Sequence, residues 1–317
     1  MSNSDPRLSV LSLVTSETSF YRQQEEHLRK QGVEIDTLTV SGKEVVDGGP
    51  EETRSYSHYI KTLIEFHKDY THSDYDVIHS NFGLTAPIAL SQFRTPVVMT
   101  LWGTDLMGKY GPVTKLCAKR CDGVMVRSEE MAEMLPCNAE IVPSGVDLDL
   151  FQPMSTVDAR REVGWAEEPF QVLFPYSPGY TRKNYPLAEA VVNEVSDELG
   201  MDIELQTISD IEHEKVPVYM NASDAILLTS SREGSPNTVK EAMACNVPVV
   251  TTDVGDVQLR LKNVTNSYVG RNEAELVSGL KQVLLSGERT NGREEVREVS
   301  WENIAKAIIA LYQLVVK

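Results

Sequence analysis

Apolar positions along this chain fall into two rhythms that alternate. Residues 8–14 (LSVLSLV) form a short apolar run of buried-strand type, and a polar loop at 15–19 follows it. From Phe20 to about Lys30 the apolar residues recur at helical spacing until Gly32 stops the pattern, and residues 33–40 resume the strand pattern. The same alternation returns in two strand-to-helix units at 75–105, then as a strand at 123–126, a Ser128-capped helix at 128–135 and a strand at 139–142. Further strands are expected at 170–174, 201–208, 225–229 and 247–252, with a short helix at 216–222 and amphipathic helices at 56–70 and 276–285. The chain closes on a helix capped by Ser300 whose apolar face is Ile304, Ala305, Ile308, Leu311, Tyr312 and Val315. Short apolar strands alternating with helices predict parallel sheets with right-handed crossovers, in which ligands gather at the carboxyl ends of the strands.

The richest such end is the loop of residues 224–255, read as strand, polar loop, helix and strand. Ser235 is expected to cap the helix and Pro236 to take its first position, leaving the amides of Asn237, Thr238 and Val239 pointing outward as an anion site. Glu233 stands in the loop, and Glu241 lies five residues past Pro236, about 7.5 Å along the axis. That is close to the separation between a nucleotide's diphosphate and its ribose hydroxyls, which a carboxylate can accept. Spacing alone does not separate this from a bland reading, in which Glu241 is a solvated helix carboxylate and Glu233 an ordinary loop charge.

The full stretch EGSPNTVKEAMACNVPVVTTDVG, with seven residues between Glu233 and Glu241, resembles the signature of the retaining glycosyltransferases of family 4. The resemblance implies an α/β protein of the GT-B fold, two facing Rossmann-like domains with a terminal helix that crosses back to the first. It also implies roles. Glu241 binds the donor ribose, Glu233 lies against the donor sugar, and Gly234, Ser235, Pro236, Asn237, Thr238 and Val239 hold the diphosphate. Residues 143–153 (PSGVDLDLFQP) resemble the segment that ends the family's first domain, with Ser144 in place of the usual Asn. This puts a rigid turn with a buried Phe151 near a hinge at 150–160, and domains at 1–153 (acceptor) and 154–317 (donor).

Lys183, followed by Asn184, matches the family's diphosphate lysine, whereas Pro178 stands where an Arg is usual, so Arg182 is the candidate second cation. Such cations stabilise a departing diphosphate. On the acceptor side, His79 and the Gly103-Thr104-Asp105 run fit the pattern, with Trp102 where the family commonly has His. Asp105 suits either an acceptor hydroxyl or a helix cap, and Trp102 either a stacking surface or a wall. The first loop lacks the family's glycines, leaving Ser16 and Thr18 as side-chain contacts or local caps. The implied activity is hexosyl transfer from a nucleotide-diphosphate sugar to a glycan, lipid-linked or small-molecule hydroxyl, with Glu233, Lys183 and Asp105 as the catalytic set. Rival readings are a binding-only subunit whose transfer has lapsed, and another enzyme of this fold such as a sugar-nucleotide epimerase or a glycoside phosphorylase.

Composition narrows the field. A chain of 317 residues suits two α/β domains, and 30 Lys plus Arg against 47 Asp plus Glu, a formal charge of −17, argues against a nucleic-acid partner or strong binding to an anionic membrane. Cys117, Cys121, Cys137 and Cys245 show no Cys-x2-Cys pairing and read as reduced thiols of a cytoplasmic protein. The polar opening 1–7 followed by the strand-like run 8–14 does not read as a signal peptide, and no apolar run approaches about 18 residues. The expected place is therefore the cytoplasm, with at most peripheral contact at the inner face of a membrane. No cofactor or metal is expected: His58, His67 and His72 lack ligand spacing, and Asp147-Leu-Asp149 belongs to the hinge segment. Residues 41–54, rich in Gly and acids, are expected to be a mobile surface loop.

Overall fold

The computed structural model describes residues 8–42, 55–71 and 73–316. The opening 1–7, most of the loop expected at 41–54, and His72 lie outside the described residues. The chain divides into two compact units: residues 1–144 together with 301–317, and residues 145–300.

In the first unit the strands β1 (Ser9–Val14), β2 (Glu34–Thr39), β3 (Val77–Ser80), β4 (Val97–Thr100), β5 (Gly123–Val126) and β6 (Glu140–Ile141) make one sheet in the order β2-β1-β3-β4-β5-β6, parallel throughout. β3, β4 and β5 are buried at every position because helices cover both faces, which is why their sequences are apolar without alternation. The helix Ser19–Lys30 starts where the Thr18 hydroxyl accepts from the Tyr21 amide at 3.3 Å, and the chain turns at Gly32 with φ of +90°. The strand expected at 139–142 shortens to two exposed edge residues, since β6 has a neighbour on one side only.

The terminal helix Trp301–Val315 packs in this first unit. Trp301, Ile304, Ala305, Ile308, Leu311 and Tyr312 are buried, as the helical spacing requires. Trp301 donates from its indole to Gln23 Oε1 (2.9 Å) and its ring meets Phe20 at 4.6 Å. Tyr312 reaches deeper, its hydroxyl 2.6 Å from Nδ1 of His79.

The second unit holds β7 (Phe170–Phe174), β8 (Ile203–Thr207), β9 (Ala225–Leu228), β10 (Val249–Thr252) and β11 (Tyr268–Gly270), also all parallel, in the order β11-β10-β9-β7-β8. Val172, Phe174, Ala225, Leu227 and Val250 pack against the helices Tyr185–Leu199 and Glu273–Ser286 to form its core. The segment after Ser144 belongs to this unit, so the division comes earlier than the 153/154 boundary expected from the sequence. Phe151 is 1% exposed, its ring against His213, while Arg293 donates to the carbonyls of Leu148 and Phe151. Asp147 Oδ1 accepts from the amides of Asp149 and Leu150, both at 2.9 Å, and so closes a turn. Val146 bridges to Ser300, which sets the two crossings between units side by side where they leave the second one. Among the described residues no helix is long and apolar enough to cross a membrane.

Candidate functional site

β9 lies between β10 and β7, so the loops that leave the carboxyl ends of β7 and β9 are neighbours. They are stitched together. Thr229 donates to the carbonyls of Lys183 (3.0 Å) and Asn184 (2.9 Å), and the Ser231 amide to the carbonyl of Arg182 (2.9 Å). The stitching brings Lys183 Nζ to 2.6 Å from Glu233 Oε1, with the Tyr176 ring 3.6 Å from the ammonium. Burial disfavours charge on Lys183, but Tyr176 and Glu233 outweigh it and hold its pKa above the usual lysine range. Tyr176 is itself fixed by a hydroxyl contact to Thr238 at 2.7 Å. Arg182, by contrast, is exposed, and its guanidinium has no ion pair among the described residues.

The start of the next helix differs from expectation. It runs Asn237–Ala244, and Pro236, with extended backbone (φ −67°, ψ 119°), holds the cap position without any side-chain cap. Ser235 is therefore one residue too far out to cap. Its hydroxyl instead donates to Asp256 Oδ2 (2.8 Å) and accepts from Lys240 Nζ (3.0 Å). Lys240 is fully buried on the inner face of the helix, so its charge must find oxygen partners inside the protein, and Ser235 is one of them. Asp256 also accepts from Arg260 Nε at 3.0 Å, and Arg260 pairs with Glu298. Lys240, Ser235, Asp256 and Arg260 thus brace the loop from below. Gly255, at φ of +56°, completes the brace: a Cβ there would lie 2.2 Å from the Gly234 carbonyl oxygen, so only glycine permits this backbone contact.

What the helix start leaves open is as telling as what it closes. The Val239 amide is taken by the Pro236 carbonyl (3.3 Å), but the amides of Asn237 and Thr238 have no partner among the described residues, and neither does the buried Asn237 Oδ1. Glu241 is half-buried, and its carboxylate makes no hydrogen bond or ion pair among the described residues. Burial pushes its carboxyl above the usual range, and the charges of His213, Lys240 and Lys183 pull it back. A carboxylate in that setting is not a freely solvated helix acid. Amides of a helix N-terminus, an ammonium and a carboxylate in want of donors are the chemistry of an anion with a diol attached.

In the first unit the expected acceptor-side residues face inward. His79 lies within β3, 1% exposed, with Nε2 2.7 Å from Thr100 Oγ1 and Nδ1 at Tyr312. Burial, with the charge of Arg127 behind it, lowers its pKa to about 3. Asp105 is buried too: Oδ2 accepts from the Gly83 amide and Oδ1 from the Trp102 amide, both at 2.9 Å. Burial raises its pKa against these amide bonds. It ties the loop after β4 to the loop after β3. Gly103, at φ of +95°, turns the chain between Trp102 and Asp105. Trp102 is half-buried, donates from its indole to the Asn81 carbonyl (2.6 Å) and meets Phe20 edge-on at 4.9 Å. Ser16 is half-buried, and Thr18 is the cap described above.

Sequence reasoning missed Tyr176, Lys240, Asp256 and Arg127. Lys240 and Arg127 left a trace, each being a cation inside or at the end of an apolar run (TVKEAMA and VMVR). Tyr176 left none, because Thr238 stands 62 positions away, and of Asp256's partners only Arg260, four residues on, is local, while Ser235 is 21 positions away.

Two all-parallel α/β units of this kind are shared with solved structures. Sucrose-phosphate synthase from Thermosynechococcus elongatus superposes with a TM-score of 0.75 at 19% identity, over 97% of this chain and 99% of that one. Anabaena HepE, solved with UDP and glucose, superposes with a TM-score of 0.63 at 15% identity, over 98% of each chain. The architecture is the GT-B fold. The family model described as "Glycosyl transferases group 1" matches residues 188–311, which include the helix Asn237–Ala244 and both Glu233 and Glu241. The chain is 25% identical, over an alignment of 297 positions, to D-inositol 3-phosphate glycosyltransferase from Geodermatophilus obscurus, covering 75% of this chain and 66% of that protein. The chain thus spans less than two thirds of the length of that curated relative.

Proposed function

We propose that this protein is a retaining glycosyltransferase that moves a hexosyl group from a nucleotide-diphosphate sugar to a hydroxyl of a glycan, lipid-linked or small-molecule acceptor. The observation that carries the proposal is the Lys183–Glu233 pair together with a helix start where, among the described residues, the Asn237 and Thr238 amides and the Glu241 carboxylate have no partner. In this reading the Asn237 and Thr238 amides and Lys183 receive the diphosphate, and Arg182 adds a second, solvent-side cation. Glu241 accepts the ribose hydroxyls, while Glu233 holds the Lys183 ammonium in place and lies against the donor sugar. Charge grows on the diphosphate as the glycosidic bond breaks, and preorganised donors there lower the barrier without a protein nucleophile, cofactor or metal. The reaction would take place in the cytoplasm, with no more than peripheral membrane contact.

The test is direct: incubation with UDP-, GDP- and ADP-sugars, followed by nucleoside diphosphate release and by thermal shift with each free diphosphate. Stabilisation by one diphosphate together with its release from the matching sugar is expected; stabilisation by none sinks the reading. A second reading, a donor-binding subunit without transfer, is favoured by Trp102 and Pro178 at positions where the family commonly carries His and Arg. It requires binding of the diphosphate with no release from any donor in the presence of acceptors.

A further inference from the structure

Arg127 follows β5 at the carboxyl edge of the first unit's sheet, the edge where parallel α/β units take their ligands. It is 3% exposed. Its Nη1 donates to the carbonyls of Val142 (2.9 Å) and Pro143 (3.4 Å), and the guanidinium lies 3.8 Å from the Trp102 ring centre and 6.0 Å from that of Phe20. Nε and Nη2 have no hydrogen-bond partner among the described residues. Those two nitrogens form the side-on edge of the guanidinium, whose parallel N–H bonds match two oxygens of a carboxylate or phosphate. Asp105, the acid whose charge acts on Arg127, is committed to the Gly83 and Trp102 amides and makes no ion pair with Arg127 among the described residues. A buried cation whose two-toothed edge is left empty is costly unless something occupies it.

We propose that Arg127, backed by Trp102, is the anion-recognition site of the first unit and takes an acidic group, phosphate or carboxylate, carried by the acceptor. That this anion belongs to an acceptor rests on the glycosyl-transfer reading; that an oxyanion binds there does not. Phe20 and Trp102, the rings beside the guanidinium, are each half-buried, so solvent reaches the aromatic cover of the guanidinium. Trp102 stacks on the guanidinium and so reports the event.

The experiment is a tryptophan-fluorescence titration of the full chain with glycerol 3-phosphate, with glucuronate and with neutral glycerol, alongside a thermal shift with UDP. A saturable response to one or both anions and none to glycerol is expected, and the stronger anion tells phosphate from carboxylate. Arg127→Gln should weaken that response about tenfold or more, while Arg127→Lys, which keeps the charge but loses the fork, falls between the two. The UDP shift should be the same in all three proteins. The proposal is overturned if the unmodified protein gives no saturable anion response, if glycerol responds equally, or if Arg127→Gln leaves the affinity unchanged. Should Arg127→Gln fail to fold, unchanged affinity in Arg127→Lys overturns it equally. A missing UDP shift alongside an Arg127-dependent anion response would sink the donor assignment and leave this one standing.

Discussion

The two units share a parallel sheet and a row of polar loops at its carboxyl edge, yet they use those loops in opposite ways. In the first unit the acid and the histidine are spent inside: Asp105 on the amides of Gly83 and Trp102, His79 on Thr100 and Tyr312. In the second the internal bonding stops short of the loop's upper surface, leaving Glu241 and the Asn237 and Thr238 amides unmatched. Ser235, Lys240 and Asp256 take up the load beneath. The lesson is that a polar residue at a sheet's carboxyl edge marks a binding site only where the fold leaves its hydrogen bonds unmade. By that criterion Arg127, not His79 or Asp105, is the first unit's counterpart to Glu241.

The sharpest way to break the contrast is Lys183→Ala. It removes the cation from the loop cluster and strands Glu233, so nucleotide-sugar turnover should drop by about 100-fold or more, measured as diphosphate release at saturating donor. Full turnover would show that the ion pair is structural only.

Next comes Asp105→Ala, which deprives loop amides of a buried acceptor and should cost about 2–3 kcal/mol in chemical denaturation with donor affinity unchanged. If stability held while transfer collapsed, Asp105 would belong to the reaction and the contrast would fail.

Glu241→Ala should weaken nucleoside diphosphate binding by about tenfold, near 1.4 kcal/mol, by calorimetric titration. Its melting temperature should stay level or rise, because a half-buried carboxylate without donors contributes nothing to folding. A fall in stability with intact affinity would return Glu241 to the ordinary helix acids.

The last effect is graded by pH and concerns His79. Its folded pKa, about 3, lies below the ordinary 6.5, so the unfolded chain takes the proton first as pH falls. Stability from this group is complete above about pH 6.5 and drains away toward pH 3, by at most about 1.4 kcal/mol per pH unit. Urea midpoints of the native chain and His79→Asn across pH 7 to 4 should converge at the acid end; parallel curves would mean the ring is not held neutral.

Much of this was legible from residue types in order. The apolar runs around β1, β5, β7 and β9 and the helical spacing of Ile304, Ile308, Leu311 and Tyr312 are local patterns, because burying one face of a helix or both faces of a strand demands a fixed period. The loop of Glu233 and Glu241 was legible too, since a helix start and its acids lie within a few residues. What only the tertiary structure decided is which polar group meets which. Ser235 finds Asp256 across 21 positions and Tyr312 finds His79 across 233, and no local period encodes such pairs. Buried polar groups choose partners by what the folded neighbourhood still lacks, so whether Ser235 caps a helix, or Arg127 waits for an anion, is settled only when every other hydrogen bond has been made.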